Sequence, residues 1–242
     1  MKILADTHSH TLASGHAYST ITEMAEAAAA KGLEVLALTE HAPKMPGTCG
    51  MFYFQNLDVV PRMQKGVRLL MGAEVNIMDP DGTIDIPEDT CRDLDIVVAS
   101  IHPPCYGLGH TAEENTRAYV EVMKKPYIHI IGHPDDGRYP VDYDTLVAAA
   151  KEHHVLLELN NSSLNPAGSR VNPVPNDREM LGFCLKYGAP IIINSDSHCA
   201  ADVGNHQYAD RLLDEMDFPE HLIVNRSVEE YKKYINRFTL LK

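Results

Sequence analysis

The chain has 242 residues, of which 44% are hydrophobic and 23% charged, close to the averages for a soluble globular protein. Its formal net charge of −13 argues against a nucleic-acid surface, because phosphate backbones are bound by basic patches. The five cysteines form no CxxC pair and indicate no disulfide framework, which favours a reducing, cytoplasmic location. We expect neither a signal peptide nor a membrane span, since the first apolar run is short and none reaches 18 residues.

Seven short runs, rich in Leu and β-branched residues, are typical of parallel strands buried on both faces, because most are continuously apolar. They cover residues 2–6, 34–40, 67–77, 95–102, 127–133, 155–160 and 190–196. Helical segments separate these runs, and strand alternating with helix predicts parallel βαβ units. No linker-like change in composition occurs, so we predict one domain over residues 1–242, closed as a barrel.

Helix boundaries are marked by capping residues. Thr20 and Glu23 form a capping-box pattern at the start of the first helix, and Gly32 ends it. Four more helices are predicted to start at Thr111, Asp142, Asn176 and Ser227. The segments 41–56 and 161–175 are rich in Pro, Gly and Asn, and we predict long loops there.

Polar side chains follow the predicted strands at their carboxyl ends. They are Asp6, His8, His10 and His16, then Glu40 and His41, Glu74, His102, His133 and Asn160, and finally Ser195, Asp196 and His198. In parallel α/β barrels these ends form one rim, where ligands bind. Clustered imidazoles and carboxylates lose solvation there, and metal cations remove that cost. Zinc takes about four ligands, and a catalytic zinc leaves one position for water. The seven histidines and two of the carboxylates, one of them bridging, would therefore supply three divalent ions with three or four protein ligands each, zinc first, with iron or manganese as alternatives.

Six motifs in order along the chain carry a family resemblance. They are DTHSHTLASGHAYST (6–20), LTEHAP (38–43), GAEVNI (72–77), ASIHPP (99–104), IGHPD (131–135) and NSDSH (194–198). The chain resembles the PHP (polymerase and histidinol phosphatase) family, most closely its small stand-alone YcdX-like phosphatases. The resemblance implies a distorted (β/α)7 barrel, similar to a TIM barrel, with a trinuclear metal site.

The resemblance also implies how nine ligands are shared among three ions. The first ion would be bound by His8, His10, Glu74 and Asp196, the second by Glu74, His102 and His133, and the third by His16, His41 and His198. Glu74 would therefore bridge two ions. Glu40 stands where the family often has Asp, and we expect Glu40 and Asp6 to support ligands rather than bind metal.

The implied reaction is phosphomonoester hydrolysis, in which a metal-activated hydroxide attacks phosphorus and the cations stabilise the developing charge. Glu74 and Asp196 are the predicted catalytic carboxylates. Arg170 is predicted to contact the phosphate, because a guanidinium matches its oxygens; Arg138 and Lys44 are weaker candidates. The predicted partner is a small phosphorylated substrate, with no nucleic acid or membrane, and a homo-oligomer is left open.

Several alternatives remain at this stage. Within the family, the chain could be a histidinol-phosphate phosphatase, or a phosphodiesterase or exonuclease. The proofreading module of a polymerase normally lies in a much longer chain, and we expect the present chain to be complete at 242 residues. An amidohydrolase also begins with His-x-His but requires histidine after its sixth strand, where this chain reads LELN (157–160). A non-enzymatic metal-binding interaction module is the remaining alternative, and the presence of all nine ligands argues against it.

Overall fold

The computed structural model describes residues 2–235. Within this range, the strands are β1 (Ala5–Asp6), β2 (Val35–His41), β3 (Met63–Gln64), β4 (Val67–Asn76), β5 (Ile96–Ser100), β6 (Ile130–Ile131), β7 (Leu156–Asn160) and β8 (Ile191–Asn194). Seven of them are parallel, in the order β1-β2-β4-β5-β6-β7-β8, and the short β3 pairs antiparallel with β4. Consecutive parallel strands are thus neighbours, as in a (β/α) barrel.

Helices lie between the strands. They are α1 (Ile21–Lys31), α2 (Met51–Gln55), α3 (Glu88–Asp93), α4 (Pro103–Tyr106), α5 (Ala112–Met123), α6 (Tyr143–His153), α7 (Pro173–Tyr187), α8 (Gln207–Glu215) and α9 (Val228–Lys232). Short 3₁₀ turns occur at Leu12–Ser14, Leu57–Val59, Ala200–Asp202, Glu220–Leu222 and Val224–Arg226. In the described part of the chain, none of these helices combines the length and the apolar character that crossing a membrane requires.

The side chain of Asn225 bridges the seam between β1 and β8. The Asn225 amide nitrogen donates to the carbonyl oxygens of Ala5 (2.8 Å) and Ile193 (2.5 Å), and its oxygen accepts from the Ile193 N–H (3.2 Å). A single parallel bridge between Ser9 and Ser197 joins the two chain segments beyond the strands. The barrel is therefore nearly closed, and the predicted distorted (β/α)7 barrel is confirmed.

Two apolar clusters divide the core. The larger one lies between the strands and the helices around them. The smaller one fills the barrel and takes side chains from every parallel strand: Ala5, Val35, Ala37, Leu70, Ile96, Val98, Ile130, Leu156 and Ile192. Along several strands these apolar residues precede the polar ones, so the amino-terminal half of the interior is apolar and the carboxyl-terminal half is polar.

Some predicted boundaries are wrong. The predicted loop 41–56 contains α2, and the predicted loop 161–175 ends early because α7 begins at Pro173 rather than after Asn176. Proline suits a first helical position because its φ is already helical and its missing N–H is not needed there. The strand predicted over 127–133 is reduced to two residues, and β3, α3, α4 and α8 were not predicted. The predicted caps at Thr20, Thr111, Asp142 and Ser227 are confirmed.

Candidate metal centre

The nine predicted ligands lie together at the carboxyl-terminal rim of the barrel. Ring centroids of neighbouring histidines are 4.2 Å apart for His10 and His41, 4.4 Å for His10 and His198, and 5.1 Å for His102 and His133. Residues from β1 to β8 thus meet although up to 190 positions separate them, since the rings project from the ends of neighbouring strands.

Glu74, near the end of β4, is the centre of this cluster. It is fully buried, and its two oxygens face five imidazole nitrogens: those of His133 (2.8 Å), His102 (3.2 Å) and His8 (3.4 Å) on Oε1, and those of His41 (2.6 Å) and His10 (3.6 Å) on Oε2. Burial alone would raise the pKa of Glu74, but the neighbouring histidines hold it well below its ordinary value. The group therefore stays a carboxylate, the form that binds metal.

Asp196 follows β8 and lies on the other side of the same histidines. Its Oδ1 is 3.3 Å from His10 Nε2 and 3.7 Å from His8 Nε2. Burial opposes its ionisation, but His8, His10 and His198 hold the pKa of Asp196 well below its ordinary value. Two ionised carboxylates thus face the same two imidazole nitrogens.

Four groups of three side chains bring one ligand atom each within 4.8 Å of one another. The groups are His10, His41 and His198; His8, Glu74 and His133; His8, His10 and Asp196; and His41, Glu74 and His102. Glu74, like His8, His10 and His41, belongs to two groups, but only Glu74 has two carboxylate oxygens with which it could bind two ions. His16 belongs to none of these groups within residues 2–235, but its ring centroid is 4.8 Å from that of His41 and 5.0 Å from that of His198.

Unpaired polar atoms test whether these residues fit metal ions. Among the described residues, three buried atoms of the centre have no hydrogen-bond partner: Nε2 of His8, Nε2 of His10 and Oδ1 of Asp196. Leaving such atoms unpaired costs roughly 1–3 kcal/mol each. Divalent cations would satisfy all of them, and nitrogen with carboxylate oxygen is a donor set that suits zinc, iron or manganese.

Two neutral residues fix the orientation of ligand rings. Asn76 uses its amide nitrogen on Ala42 and Asp85, so its oxygen accepts from His102 Nδ1 (2.8 Å) and leaves His102 Nε2 towards Glu74. The Ser14 hydroxyl donates to Glu40 (2.5 Å), and its oxygen lies 3.2 Å from His10 Nδ1.

The two predicted supporting carboxylates do not touch ligand rings among the described contacts. Glu40 accepts from Ser14 and from both the N–H and the hydroxyl of Thr11, so it acts on His10 through Ser14. Asp6 accepts from Ser195 and from the Gly204 N–H. Asp6 therefore ties the end of β1 to the segment that carries Asp196.

Sequence reasoning missed Glu158, which lies within β7. This fully buried carboxylate accepts a hydrogen bond from His8 Nδ1 at 2.8 Å. Burial would lower the pKa of His8, but Glu158, Glu74 and Asp196 raise it well above its ordinary value. The signal in the sequence was the alternation of LELN, in which Glu158 and Asn160 share one face of an otherwise apolar strand.

In contrast to His8, two other histidines of the cluster have lowered pKa values. Burial, together with His41 and His198, holds the pKa of His10 well below its ordinary value. Burial also lowers the pKa of His102 to about 4, although Glu74 opposes the shift. Both rings are therefore neutral at pH 7 and keep the lone pair that a metal ligand needs.

A cavity of about 330 Å³ opens above the centre. Arg170 lines it and lies 3.3 Å from Asp196 Oδ2. Burial disfavours the charge on Arg170, but Asp135 and Asp196 raise its pKa, so the guanidinium stays charged. Arg138 also lines the cavity, where its guanidinium binds both oxygens of Asp136, whereas Lys44 is exposed and is not among the lining residues.

Comparisons with known proteins identify relatives of this chain. The PHP domain model matches residues 6–167. A protein of Clostridium novyi named a probable phosphatase is 46% identical over 242 residues, which is all of this chain and 98% of the relative. A probable phosphatase of Caldanaerobacter subterraneus is 41% identical over 238 residues, covering 97% of this chain and 92% of the relative.

A solved structure shares the fold at low sequence identity. It is the histidinol phosphate phosphatase of Lactococcus lactis, a complex with zinc, L-histidinol and phosphate. It is 16% identical to this chain, covers 89% of it and 94% of its own length, and superimposes with a TM-score of 0.60. The match over two thirds of the chain, the full-length relatives and the six motifs agree: the chain belongs to the PHP domain family.

Proposed function

We propose that this protein is a metal-dependent phosphatase that cleaves small phosphomonoesters at a centre of three divalent ions, with zinc as the first candidate. The observation that carries the proposal is the set of unpaired nitrogen and carboxylate atoms that face one another beneath the cavity. The names of the full-length relatives support the activity. The alignment over all 242 residues supports a single domain, 1–242, which extends beyond the described residues.

The proposed ligands are the nine side chains that the sequence predicted. They are His8, His10, His16, His41, Glu74, His102, His133, Asp196 and His198. When bound, the ions would neutralise the phosphoryl oxygens and make an attacking water more acidic. The low pKa values of Glu74 and Asp196 keep both groups ionised for this role.

The residues of the cavity are proposed to bind and orient the substrate. Arg170 is charged, close to Asp196, and able to donate two parallel hydrogen bonds to a phosphoryl group. A cavity of about 330 Å³ is at the small end of the range for small-molecule sites, which favours a metabolite over a polymer. The net charge of −13 also disfavours a nucleic-acid substrate.

The test is a phosphatase screen with protein loaded with zinc, manganese or iron. A panel of phosphorylated metabolites, including histidinol phosphate, would be measured beside p-nitrophenyl phosphate and bis-p-nitrophenyl phosphate. We expect turnover of monoesters, with the diester much slower. Preferred cleavage of the diester would instead indicate a phosphodiesterase, and no turnover by protein that has bound its ions would favour the interaction module.

Two variants make the screen specific to this centre. Asp196→Asn removes a proposed ligand charge and should abolish turnover, which excludes a contaminating phosphatase. Asp95→Asn is the matched control, because Asp95 is a buried carboxylate at the opposite end of the barrel, where it accepts from Arg62 and the Met71 N–H. It should keep the activity of the wild-type protein.

The cysteines bear on where this chemistry takes place. All five lie among the described residues and all are free thiols. Free thiols persist in a reducing compartment, so we extend the proposal to a cytoplasmic enzyme.

A further inference from the structure

Glu158 differs from Glu40 and Asp6, because it accepts hydrogen bonds from four different residues rather than two. Oε1 accepts from His8 Nδ1 (2.8 Å) and Asn194 Nδ2 (2.8 Å), and Oε2 accepts from the His133 N–H (2.9 Å) and Asn160 Nδ2 (2.9 Å). These donors lie at, or two residues after, the carboxyl ends of β1, β6, β7 and β8. One carboxylate inside the barrel thus holds four neighbouring strand ends.

The contact with His8 decides which ring nitrogen is free. A carboxylate can only accept, so the proton of this hydrogen bond lies on His8 Nδ1. His8 Nε2 then points at Glu74 Oε1 (3.4 Å) and Asp196 Oδ1 (3.7 Å) and has no hydrogen-bond partner among the described residues. Carboxylates commonly fix the rings of metal-binding histidines in this way, and they raise the basicity of the ligand nitrogen.

The contact with His133 holds an unfavourable backbone conformation. His133 has φ of +33°, a region that costs a residue with a side chain about 1–3 kcal/mol. The adjacent β6 has only two residues, so its ladder supplies little restraint. The N–H of His133 donates to Glu158 Oε2 at 2.9 Å, which fixes the direction in which this ring leaves the strand.

The contact with Asn160 extends the influence of Glu158 to a third proposed ligand. Asn160 Nδ2 donates both to Glu158 Oε2 (2.9 Å) and to Asp196 Oδ2 (3.1 Å). Asp196 also has a left-handed backbone, with φ of +52°. By contrast, His16, His41 and His198 make no contact with Glu158 among the described residues. The His41 N–H donates to the Ser14 hydroxyl oxygen (3.0 Å), and His198 Nδ1 lies 3.0 Å from the carbonyl oxygen of Asp196.

We propose that Glu158 is a positioning residue for two of the three ions: it aligns His8 and His133, and through Asn160 the carboxylate of Asp196, while the third ion is independent of it. This inference rests on the proposed metal centre. It predicts a selective loss, because Glu158 reaches the ligands of the first and second ions but not those of the third.

Glu158→Gln is the sharpest perturbation. It keeps the shape of the side chain, but its NH₂ group must face donors at one end of the site, either His8 and Asn194 or His133 and Asn160. Asp95→Asn is the matched control for the loss of a buried carboxylate. Both proteins would first be stripped with a chelator and compared with wild type by circular dichroism.

The readout is a stepwise metal titration against a chromophoric chelator, followed by the absorption spectrum of the cobalt(II) form. Wild type and Asp95→Asn should bind three equivalents. Glu158→Gln should bind one equivalent with wild-type affinity and two others about 10- to 100-fold more weakly, a range typical of lost support for metal ligands. The cobalt(II) bands of the two weakened sites should shift or lose intensity.

Each result decides between the claims. If wild type binds no metal, the proposed function fails. If wild type binds three ions and Glu158→Gln does so with equal affinity, or if Asp95→Asn weakens binding equally, only the role of Glu158 is refuted. Should Glu158→Gln fail to fold, Glu158→Asp, which keeps the charge but shortens the reach, replaces it and must show the same two weakened equivalents.

Discussion

Replacing Arg170 tests how the cavity binds phosphate. The guanidinium lies 3.3 Å from Asp196 Oδ2, and its side chain is only 17% exposed. The charge of nearby Asp135 raises the pKa of Arg170 against the effect of burial, so it is charged at any assay pH near neutrality. A charged donor at this position, beside a proposed metal ligand, would face the phosphoryl oxygens of a bound ester.

The expected magnitude follows from hydrogen bonds to charged groups, which contribute about 1.5–3 kcal/mol each. Since about 1.4 kcal/mol corresponds to a factor of ten, Arg170→Ala should lower kcat/KM for a monoester about 10- to 100-fold, mainly through KM. Arg170→Lys keeps a charge but loses the planar fork, so its value should lie between those of Arg170→Ala and wild type. Initial rates with p-nitrophenyl phosphate over a range of concentrations give both parameters.

Arg138→Ala provides the comparison within the same cavity. Its guanidinium is bound to both oxygens of Asp136, so fewer of its N–H groups are free for substrate, and we expect a change of about threefold or less. The bound metal of each variant must be measured, since Arg170 also contacts Asp196. An Arg170→Ala protein with full metal and an unchanged KM would place Arg170 outside the substrate site.

Three further predictions concern the centre and the fold. Glu74→Ala should lower the metal content by two equivalents, because Glu74 is the proposed bridge; full metal in elemental analysis would contradict that role. Asn225→Ala should lower the free energy of unfolding by roughly 2–4 kcal/mol, since buried carbonyls at the β1–β8 seam lose their donor; urea denaturation measures this loss, and an unchanged midpoint would refute it. Burial, with Asp135, raises the pKa of Asp177 well above its ordinary value. The unfolded chain therefore ionises first, and the free energy of unfolding falls as pH rises above about 4. Asp177→Asn should remove this dependence, so its gain in melting temperature over wild type should be larger at about pH 7 than at about pH 4, and an equal gain at both would contradict the prediction.

The polar residues of the rim could be predicted from the sequence because the carboxyl ends of parallel strands lie at the same end of a barrel. His41 and His102 illustrate this: His41 ends β2, His102 follows β5, and both strands pair with β4, so that both histidines lie close to Glu74. The grouping within the rim was less predictable. His10 joins His41 and His198 in one group of possible ligand atoms. The resemblance assigned His16 to these two histidines, and its ring centroid lies 4.8 Å and 5.0 Å from theirs, so that assignment stays a prediction.

The start of α7 shows a limit of capping patterns. Asn176 and Glu179 resemble a helix start, but Asn172 adopts φ of +51° and the helix begins at Pro173. The side chain of Asn176 instead donates to the carbonyl oxygen of Asp135 at 2.7 Å. A tertiary contact therefore uses the residue that the local pattern assigns to a cap.

Two features of the centre were not predicted from the sequence: the buried carboxylate of Glu158 and the left-handed backbone of His133 and Asp196. Both are linked to the side chains of β7. Along β7, the pleat places Leu156, Glu158 and Asn160 on the interior face, so a buried carboxylate lies just below the rim. His133 and Asp196 adopt left-handed backbone, although neither is a glycine. The His133 N–H donates to Glu158, and the Asn160 side chain donates to Asp196. The alternation of side chains along the strand predicts that Glu158 faces the interior, but only the folded barrel shows which groups donate hydrogen bonds to it. The geometry of the ligands thus depends on a residue one layer beneath them, inside a strand rather than at its end.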